Sequence, residues 1–191
     1  MSVLVLVAPG SEEIETVAIV DTLVRGGIDV VLASCCPTGA RQIRASRGVQ
    51  LVADCHLDEL TTRDFDAMVV PGGLPGSEVI RDTPLAIDLL REQAGLGRWR
   101  AAICAAPAVV LHHHGLLGDA STTCHPGFQA RLPATQLSTA RVVTDEAHRL
   151  ITSQGPGTAI EFALEIVRVL RGDEAARTVA SPMVLPPSLS P

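Results

Sequence analysis

Aromatic residues are scarce in this sequence, whose 191 residues include three Phe, one Trp and no Tyr. Hydrophobic residues nevertheless make up 47% of the chain, so Val, Leu, Ile and Ala must build the core. These aliphatic residues are typical of a parallel sheet covered by helices on both faces. The length fits one domain. We predict that this domain spans residues 1–185 and that the proline- and serine-rich tail at 186–191 frays.

Runs of basic residues are also missing, and the formal net charge is −6. This balance argues against a generic nucleic-acid-binding surface. No stretch reaches the roughly 20 apolar residues of a membrane span, so we predict no membrane contact. The opening MSVLVLVAPGSEE lacks a basic n-region and indicates a first strand rather than a signal peptide.

The cysteines lack the spacing of a disulfide or metal framework. There are five of them, without a C-x-x-C pair, which fits a reducing compartment and predicts a cytoplasmic protein. His112, His113 and His114 are consecutive, and consecutive helical positions point in different directions. We therefore predict no metal site, and we expect the protein to work without a cofactor.

Strands and helices alternate along the chain, which predicts a doubly wound α/β sandwich. Strands are expected at 3–8, 28–34, 65–70, 99–103 and 121–124, with a short β excursion at 41–54 and a hairpin-like pair at 141–143 and 150–152. The first helix is expected to be capped by Ser11 and to carry Val17, Val20, Leu23 and Val24 at helical spacing. Further helices are expected from a cap at Asp82 to Gly95, after Cys104 to about His113, at 158–170 and near 173–180.

Cys104 has the most reactive setting in the sequence. It follows a predicted strand and begins a predicted helix, so helix amides and the helix dipole should favour its thiolate. The small Ala105 and Ala106 fit a tight turn similar in its mechanics to a nucleophile elbow. An inert buried cysteine is the equally open alternative.

Three further groups are expected at the same edge of the sheet. Glu15 lies one turn into the first helix, where burial beside a thiolate would raise its pKa and let it donate a hydrogen bond to sulfur; a solvated first-turn glutamate is the alternative. Gly72 and Gly73, with the Ala105 amide, could form an oxyanion hole, although Pro-Gly-Gly is also an ordinary turn. His125 is either an acid–base partner or a surface histidine.

The motifs APGSEEIETV, ASRGV, VVPGGLPG, AAICAAPA and TSQGPGT occur in this order along the chain. Together they resemble the DJ-1/PfpI superfamily, and within it the DJ-1/YajL branch. The resemblance implies a flavodoxin-like fold, with a mostly parallel central sheet and helices on both faces, and a homodimer. It assigns the nucleophilic or oxidisable cysteine to Cys104 and the partner acid to Glu15. It also places pocket amides at Gly72, Gly73 and Ala105, a pocket histidine at His125, and pocket or dimer-edge residues at Arg47, Arg25, Pro156 and Pro182.

The function implied by the resemblance is cysteine-dependent, cofactor-independent protection against reactive carbonyls. The expected reaction is a deglycase or glyoxalase III-like conversion of small α-oxoaldehydes or their amine and thiol adducts. The alternative is an oxidative-stress sensor and chaperone that acts through oxidation of Cys104 without turnover. An amidase or peptidase is disfavoured, because Ala105 stands where peptidase-like branches have a histidine. A disulfide between Cys124 and Cys104 is a further open possibility.

Overall fold

The computed structural model describes residues 1–61 and 64–186. Most of the tail for which we predicted fraying, 187–191, lies outside the described residues. The strands are β1 (Ser2–Val7), β2 (Asp29–Ser34), β3 (Gln42–Arg44), β4 (Gln50–Val52), β5 (Cys55–His56), β6 (Ala67–Val70), β7 (Trp99–Ile103), β8 (Val142–Asp145) and β9 (Leu150–Ser153). The α-helices are α1 (Glu13–Arg25), α2 (Gly76–Arg81), α3 (Pro84–Gly95), α4 (Ala159–Arg171) and α5 (Asp173–Ala180).

Within the described residues, seven strands form one sheet in the order β5-β2-β1-β6-β7-β9-β8. Neighbouring strands are parallel except β8, which runs antiparallel to β9. The strands β3 and β4 form a separate antiparallel hairpin, hereafter the β3–β4 hairpin. The strand order reverses between β1 and β6, and in an open parallel sheet a ligand site forms at such a switch point.

Alternate residues of the central strands face opposite sides of the sheet, as the strand repeat requires. Leu4 and Leu6 of β1 pack into a core with α2 and α3. Val3 and Val5 pack into a second core with α1, α4 and α5. Apolar residues on both faces explain the continuous hydrophobic run at 3–8, and the predicted mostly parallel sandwich with helices on both faces is confirmed.

Three local predictions from the sequence are wrong. The N-cap of α1 is Glu12, not Ser11, whose hydroxyl instead accepts a hydrogen bond from the Ala8 amide at 3.0 Å. The N-cap of α3 is Thr83, because Asp82 ends the short helix α2, which we did not predict. The expected strand at 121–124 is reduced to an isolated bridge at Thr122.

Helix α1 buries a different face from the one that its valines predict. Val17 and Val24 are more than half exposed, at 53% and 56%, while Glu15 and Ile19 are fully buried. Leu23 of the same predicted set is fully buried, so the periodicity alone could not show which of these apolar residues face the sheet.

No helix in residues 1–61 and 64–186 is long and apolar enough to span a membrane.

Candidate active site

Glu15, Gly72 and Cys104, which we expected at the carboxyl edge of the sheet, do come together there. Glu15 is on α1 after β1, Gly72 follows β6, and Cys104 follows β7. The Gly72 amide donates a hydrogen bond to Oε2 of Glu15 at 2.7 Å, and this oxygen and the Cys104 sulfur both lie against Gly72. The parallel order of β1, β6 and β7 places the acid, the glycine turn and the thiol at one point.

Cys104 adopts a left-handed backbone conformation, with φ of +64°. This conformation is uncommon for a residue with a side chain. Its amide donates to the Ser153 carbonyl at 2.9 Å, and its carbonyl accepts from the His125 amide at 2.8 Å. These two bonds hold a sharp turn between β7 and the π-helix Pro107–His112. The backbone therefore forms the elbow that the small neighbours of Cys104 predict.

Gly72 is required by the close approach of the thiol and the acid. A Cβ at this position would lie 2.4 Å from Cβ of Cys104, 3.0 Å from its sulfur and 2.9 Å from Oε2 of Glu15. No side chain fits there without displacement of these groups. The Gly72-Gly73 pair is thus more than an ordinary turn, since its first member lies in contact with the reactive pair.

Glu15 is fully buried, and burial raises its pKa to about 7. The negative charge of Glu12 raises it further, whereas the hydrogen bonds from Gly72 and Cys104 act in the opposite direction. Its second oxygen, Oε1, is buried and has no hydrogen-bond partner among the residues that the structure describes. An unpartnered buried oxygen favours the neutral acid, as we expected from the sequence.

The expectation that helix amides keep Cys104 ionised is not met. Burial and the neighbouring Glu15 raise the pKa of the Cys104 thiol to about 12, although hydrogen bonds from the Gly73 and Ala105 amides lower it. Two negative charges in contact resist sharing one buried site. The thiol and the carboxyl consequently titrate as one pair and share a proton at neutral pH.

A cavity of about 240 Å³ opens above the sulfur. Residues singled out in the sequence contribute most of its lining, namely Cys104, Gly73, Ala105, His125, Arg47 and Pro156. His125 lies at the exposed rim, where its Nδ1 accepts a hydrogen bond from the Gly127 amide at 3.1 Å. Cys104 itself is 9% exposed, so a small molecule in this cavity reaches the sulfur.

A carboxylate of α1, that of Glu13, holds Arg47 at the cavity. The Arg47 amide donates to Oε1 of Glu13 at 2.7 Å, and the Ser46 hydroxyl donates to Oε2 of Glu13 at 2.7 Å. These bonds bind the turn of the β3–β4 hairpin to the N-terminus of α1. The guanidinium of Arg47 remains exposed at the cavity rim.

Four residues of the cavity lining were missed from the sequence: Glu12, Ser46, Leu74 and Phe128. Glu12, Ser46 and Leu74 lie within the motifs APGSEEIETV, ASRGV and VVPGGLPG, and these motifs were the available signal. Phe128 lies in the short 3₁₀ helix Pro126–Arg131, where apolar periodicity gives no information.

Other expected residues lie away from this cavity. Arg25 pairs with Asp21 at 2.6 Å near the end of α1. Pro182 is exposed in the last 3₁₀ turn. Cys124 is fully buried in the core on the α2 and α3 side of the sheet, and all five cysteines are free thiols in the structure. The possible Cys104–Cys124 disulfide is therefore absent from the described residues.

Histidine, cysteine and carboxylate side chains form no metal-binding cluster in the part of the chain that the structure describes. A larger cavity of about 820 Å³ lies elsewhere and is lined by Cys36, His56 and Asp58. The smaller cavity is the better candidate, because it is lined by the elbow thiol and by the residues whose amides are directed at the sulfur, with the buried acid behind them.

Residues 1–169 match the model of the DJ-1/PfpI family. The protein dj-1beta of Drosophila melanogaster is 41% identical over 186 residues, which cover 96% of this chain and 97% of that protein. A Caenorhabditis elegans protein named glutathione-independent glyoxalase DJR-1.2 is 36% identical over 188 residues, 96% of each chain. The DJ-1 homolog A of Arabidopsis thaliana is 38% identical over 98% of this chain, which spans 47% of that longer protein.

The fold is also similar to that of solved DJ-1 structures. Toxoplasma gondii DJ-1 in an oxidized form superposes with a TM-score of 0.92 at 40% identity, covering 96% of this chain and 97% of that chain. Drosophila melanogaster DJ-1beta superposes with a TM-score of 0.90 at 41% identity, covering 97% and 98%.

Proposed function

This chain belongs to the DJ-1/PfpI family, and from its elbow cysteine and buried acid we propose that it converts small α-oxoaldehydes such as methylglyoxal into hydroxy acids. The single observation that carries the proposal is the close approach of the buried Glu15 carboxyl to the sulfur of Cys104, which itself lines a cavity. A relative named as a glutathione-independent glyoxalase supports it. The finer alternative, a deglycase that acts on the adducts of these aldehydes with amines or thiols, uses the same atoms.

The first step forms a bond between the Cys104 sulfur and the aldehyde carbon. The Cys104 thiol and the Glu15 carboxyl share one proton. When this proton passes to Glu15, Cys104 becomes the thiolate that attacks the aldehyde. The carbonyl π electrons move onto oxygen, where the Gly73 and Ala105 amides stabilise the negative charge. The proton then moves from Glu15 to that oxygen, which gives a neutral hemithioacetal and leaves Glu15 as a carboxylate.

The second step moves a proton within the adduct. The Glu15 carboxylate removes the C–H proton of the former aldehyde carbon and returns it to the adjacent ketone carbon, while the hydroxyl proton of the hemithioacetal passes to the ketone oxygen. The aldehyde carbon is thereby oxidised to a thioester and the ketone carbon is reduced to an alcohol, so no external oxidant or reductant is consumed. Water then cleaves the thioester, releases the hydroxy acid and restores the thiol.

Replacement of Cys104 with serine tests the proposal. With methylglyoxal as substrate, Cys104→Ser should lower lactate formation by about 10³-fold or more, because the nucleophile is lost. The measurement is the rate of lactate release at neutral pH. Cys55→Ser is the matched control, since Cys55 lies half-buried on β5 and does not line the cavity. Equal lactate formation by wild type and Cys104→Ser would reject the proposal.

A second candidate function is oxidant sensing through Cys104. The observation that favours it is the similarity to a relative solved in an oxidized form, together with two amides directed at the Cys104 sulfur, where they would bind the oxygens of a sulfinate. Peroxide would oxidise the sulfur first to a sulfenate with release of water, and a second equivalent would give the sulfinate.

Mass spectrometry after mild peroxide treatment tests the sensor function. Cys36 is the competing thiol, because hydrogen bonds from Thr38 hold its pKa below the ordinary thiol value even though burial acts to raise it. Oxidation of Cys104 before Cys36 and the other three cysteines is the expected result. Earlier oxidation of Cys36 would count against sensing at Cys104.

A further inference from the structure

Glu12, the N-cap of α1, is a buried acid at the wall of the candidate active site. It is 7% exposed and lines the cavity above Cys104. Its Oε2 accepts a hydrogen bond from the Glu15 amide at 2.7 Å, and this N-cap bond of α1 ties Glu12 directly to the backbone of Glu15. A serine or asparagine would cap the helix equally well, so the cap alone does not account for a glutamate here.

The backbone of Glu12 makes a second connection to the reactive pair. Its amide donates to the Gly72 carbonyl at 2.9 Å, next to the amide that binds Glu15. Its carbonyl accepts from both the amide and the hydroxyl of Thr16, at 3.0 and 2.8 Å. Glu12 is thus bonded to the acid on one side and to the glycine turn on the other.

We propose that Glu12 is a positioning residue that fixes the place of Glu15 and, through its own negative charge at the cavity wall, keeps Glu15 in the neutral form. The inference rests on the proposed function only for the turnover part of its test. When Glu15 is neutral, the Cys104 thiolate has no negative charge beside it. The pair of protonated Glu15 and ionised Cys104 is the state that attacks a carbonyl.

The charged groups around Glu15 support this assignment. Glu12 and Cys104 are the titratable groups that interact with Glu15. Arg47 of the β3–β4 hairpin turn and His125 lie at the rim of the same cavity. On α4, which packs beside α1, Glu161 pairs with Arg141 and Glu165 pairs with Arg168. Glu12 is the group in this set whose carboxylate is bonded to the Glu15 backbone.

The test compares Glu12→Gln with Glu12→Ala. Glutamine keeps an oxygen that accepts from the Glu15 amide and removes the charge, whereas alanine removes both. The first readout is the rate of alkylation of Cys104 by iodoacetamide as a function of pH, measured by peptide mass spectrometry. The second is kcat and KM for methylglyoxal. Glu174→Gln, an exposed acid on α5, is the control for a change of net charge.

We expect Glu12→Gln to shift the midpoint of Cys104 alkylation to higher pH by about one unit, because removal of a nearby negative charge makes Glu15 easier to ionise and the Glu15 carboxylate then opposes ionisation of the adjacent thiol. The alkylation rate at neutral pH should fall, since the shared proton then moves from Glu15 towards the sulfur. We also expect kcat to fall about fivefold with KM nearly unchanged. Glu12→Ala should show the same shift and, in addition, a lower melting temperature.

An alkylation profile of Glu12→Gln that superimposes on wild type would overturn the proposal. The proposal would also be overturned if the alkylation midpoint of Glu12→Gln were unshifted while its melting temperature fell as much as that of Glu12→Ala. Glu12 would then be a helix cap only. Alkylation requires no turnover. If wild type makes no lactate, the proposed function fails while the midpoints still decide the role of Glu12.

Discussion

At the scale of single residues, the site is limited by space around the sulfur. A Cβ on Gly72 would contact the Cβ and sulfur of Cys104 and an oxygen of Glu15 at 3.0 Å or less. Gly72→Ala should therefore lower the free energy of unfolding by about 2 kcal/mol. Displacement of the thiol should also lower methylglyoxal turnover by about tenfold or more.

Urea unfolding and lactate assays on the same Gly72→Ala preparation measure these two effects. Gly95→Ala is the matched control, because a Cβ there meets no atom within 4 Å. It should be neutral or stabilising by up to about 1 kcal/mol. If Gly72→Ala behaves like Gly95→Ala, the close packing of Gly72 against Cys104 is wrong.

The buried carboxyl of Glu15 makes the stability of the protein depend on pH. Its pKa is about 7 in the folded protein against an ordinary value of 4.5. The folded state therefore holds the proton more strongly, and the stability this gives is complete below pH 4.5 and is lost as the pH rises through 7. Glu15→Gln removes this dependence, so its stability relative to wild type should increase by on the order of 3 kcal/mol across that range.

Urea titrations of wild type and Glu15→Gln at several pH values measure the difference. Glu174→Gln should run parallel to wild type, because Glu174 is exposed. Parallel curves for Glu15→Gln and wild type would mean that the Glu15 pKa is not raised in the folded protein.

The sequence allowed the reactive residues to be identified but not their charges. The positions of Cys104 and Glu15 after strands made them candidates, because a parallel sheet brings its carboxyl ends together, and the family resemblance assigned them their roles. The pKa of the thiol could not be predicted, since it depends on how deeply the sulfur is buried and on its contact with Glu15. The helix amides, which the sequence did indicate, are the weaker effect.

At the scale of secondary structure elements, one carboxylate of α1 bonds the turn of the β3–β4 hairpin, and backbone bonds from Ser46 to Ser11 and from Gly10 to Arg44 add to this attachment. Glu13 accepts from the Ser46 hydroxyl and the Arg47 amide. Burial acts to raise the Glu13 pKa, but these hydrogen bonds outweigh it and the pKa lies below its ordinary value. The bonds to the carboxylate are therefore complete at neutral pH and are lost as the pH falls below about 4.5.

Glu13→Ala should release the turn of the β3–β4 hairpin. The loss of two hydrogen bonds to a charged group should cost about 2 kcal/mol of stability, and hydrogen exchange at the Arg47 amide should accelerate. Exchange measured by mass spectrometry at neutral pH checks this result. Glu13→Gln, which keeps one acceptor oxygen, should be intermediate. Unchanged exchange at 46–48 in Glu13→Ala would contradict it.

Most elements were predictable because their residues repeat with a regular period. The central strands read as continuous apolar runs, and α4 carries its apolar residues on one face. Most failures fall where no period exists: the short helix α2, the caps of α1 and α3, and the bridge at Thr122. Caps depend on which side chain reaches a free amide, and several side chains in SEE and DTP meet that condition.

At the scale of the whole molecule, the exposed apolar stripe of α1 needs a partner. Val17, Val20 and Val24 of α1 line a groove with Leu32 and Leu51, and two of these valines are more than half exposed. An exposed apolar surface of this kind marks an interaction site. We propose that a second copy of the chain covers it, in the homodimer that the family resemblance implies. A two-fold axis would place the same stripe of each copy against the other.

Val17→Asp tests this assembly. A carboxylate at the centre of the stripe would be buried without a partner in the dimer, so the variant should elute as a monomer of about half the wild-type mass. Size-exclusion chromatography with light scattering gives the mass directly, and circular dichroism shows that the monomer is folded. Leu96→Asp is the control, because Leu96 is 56% exposed at the end of α3, away from the groove. A wild-type chain that is monomeric at micromolar concentration, or a Val17→Asp variant with the wild-type mass, would show that the stripe of α1 is not the surface where two copies meet.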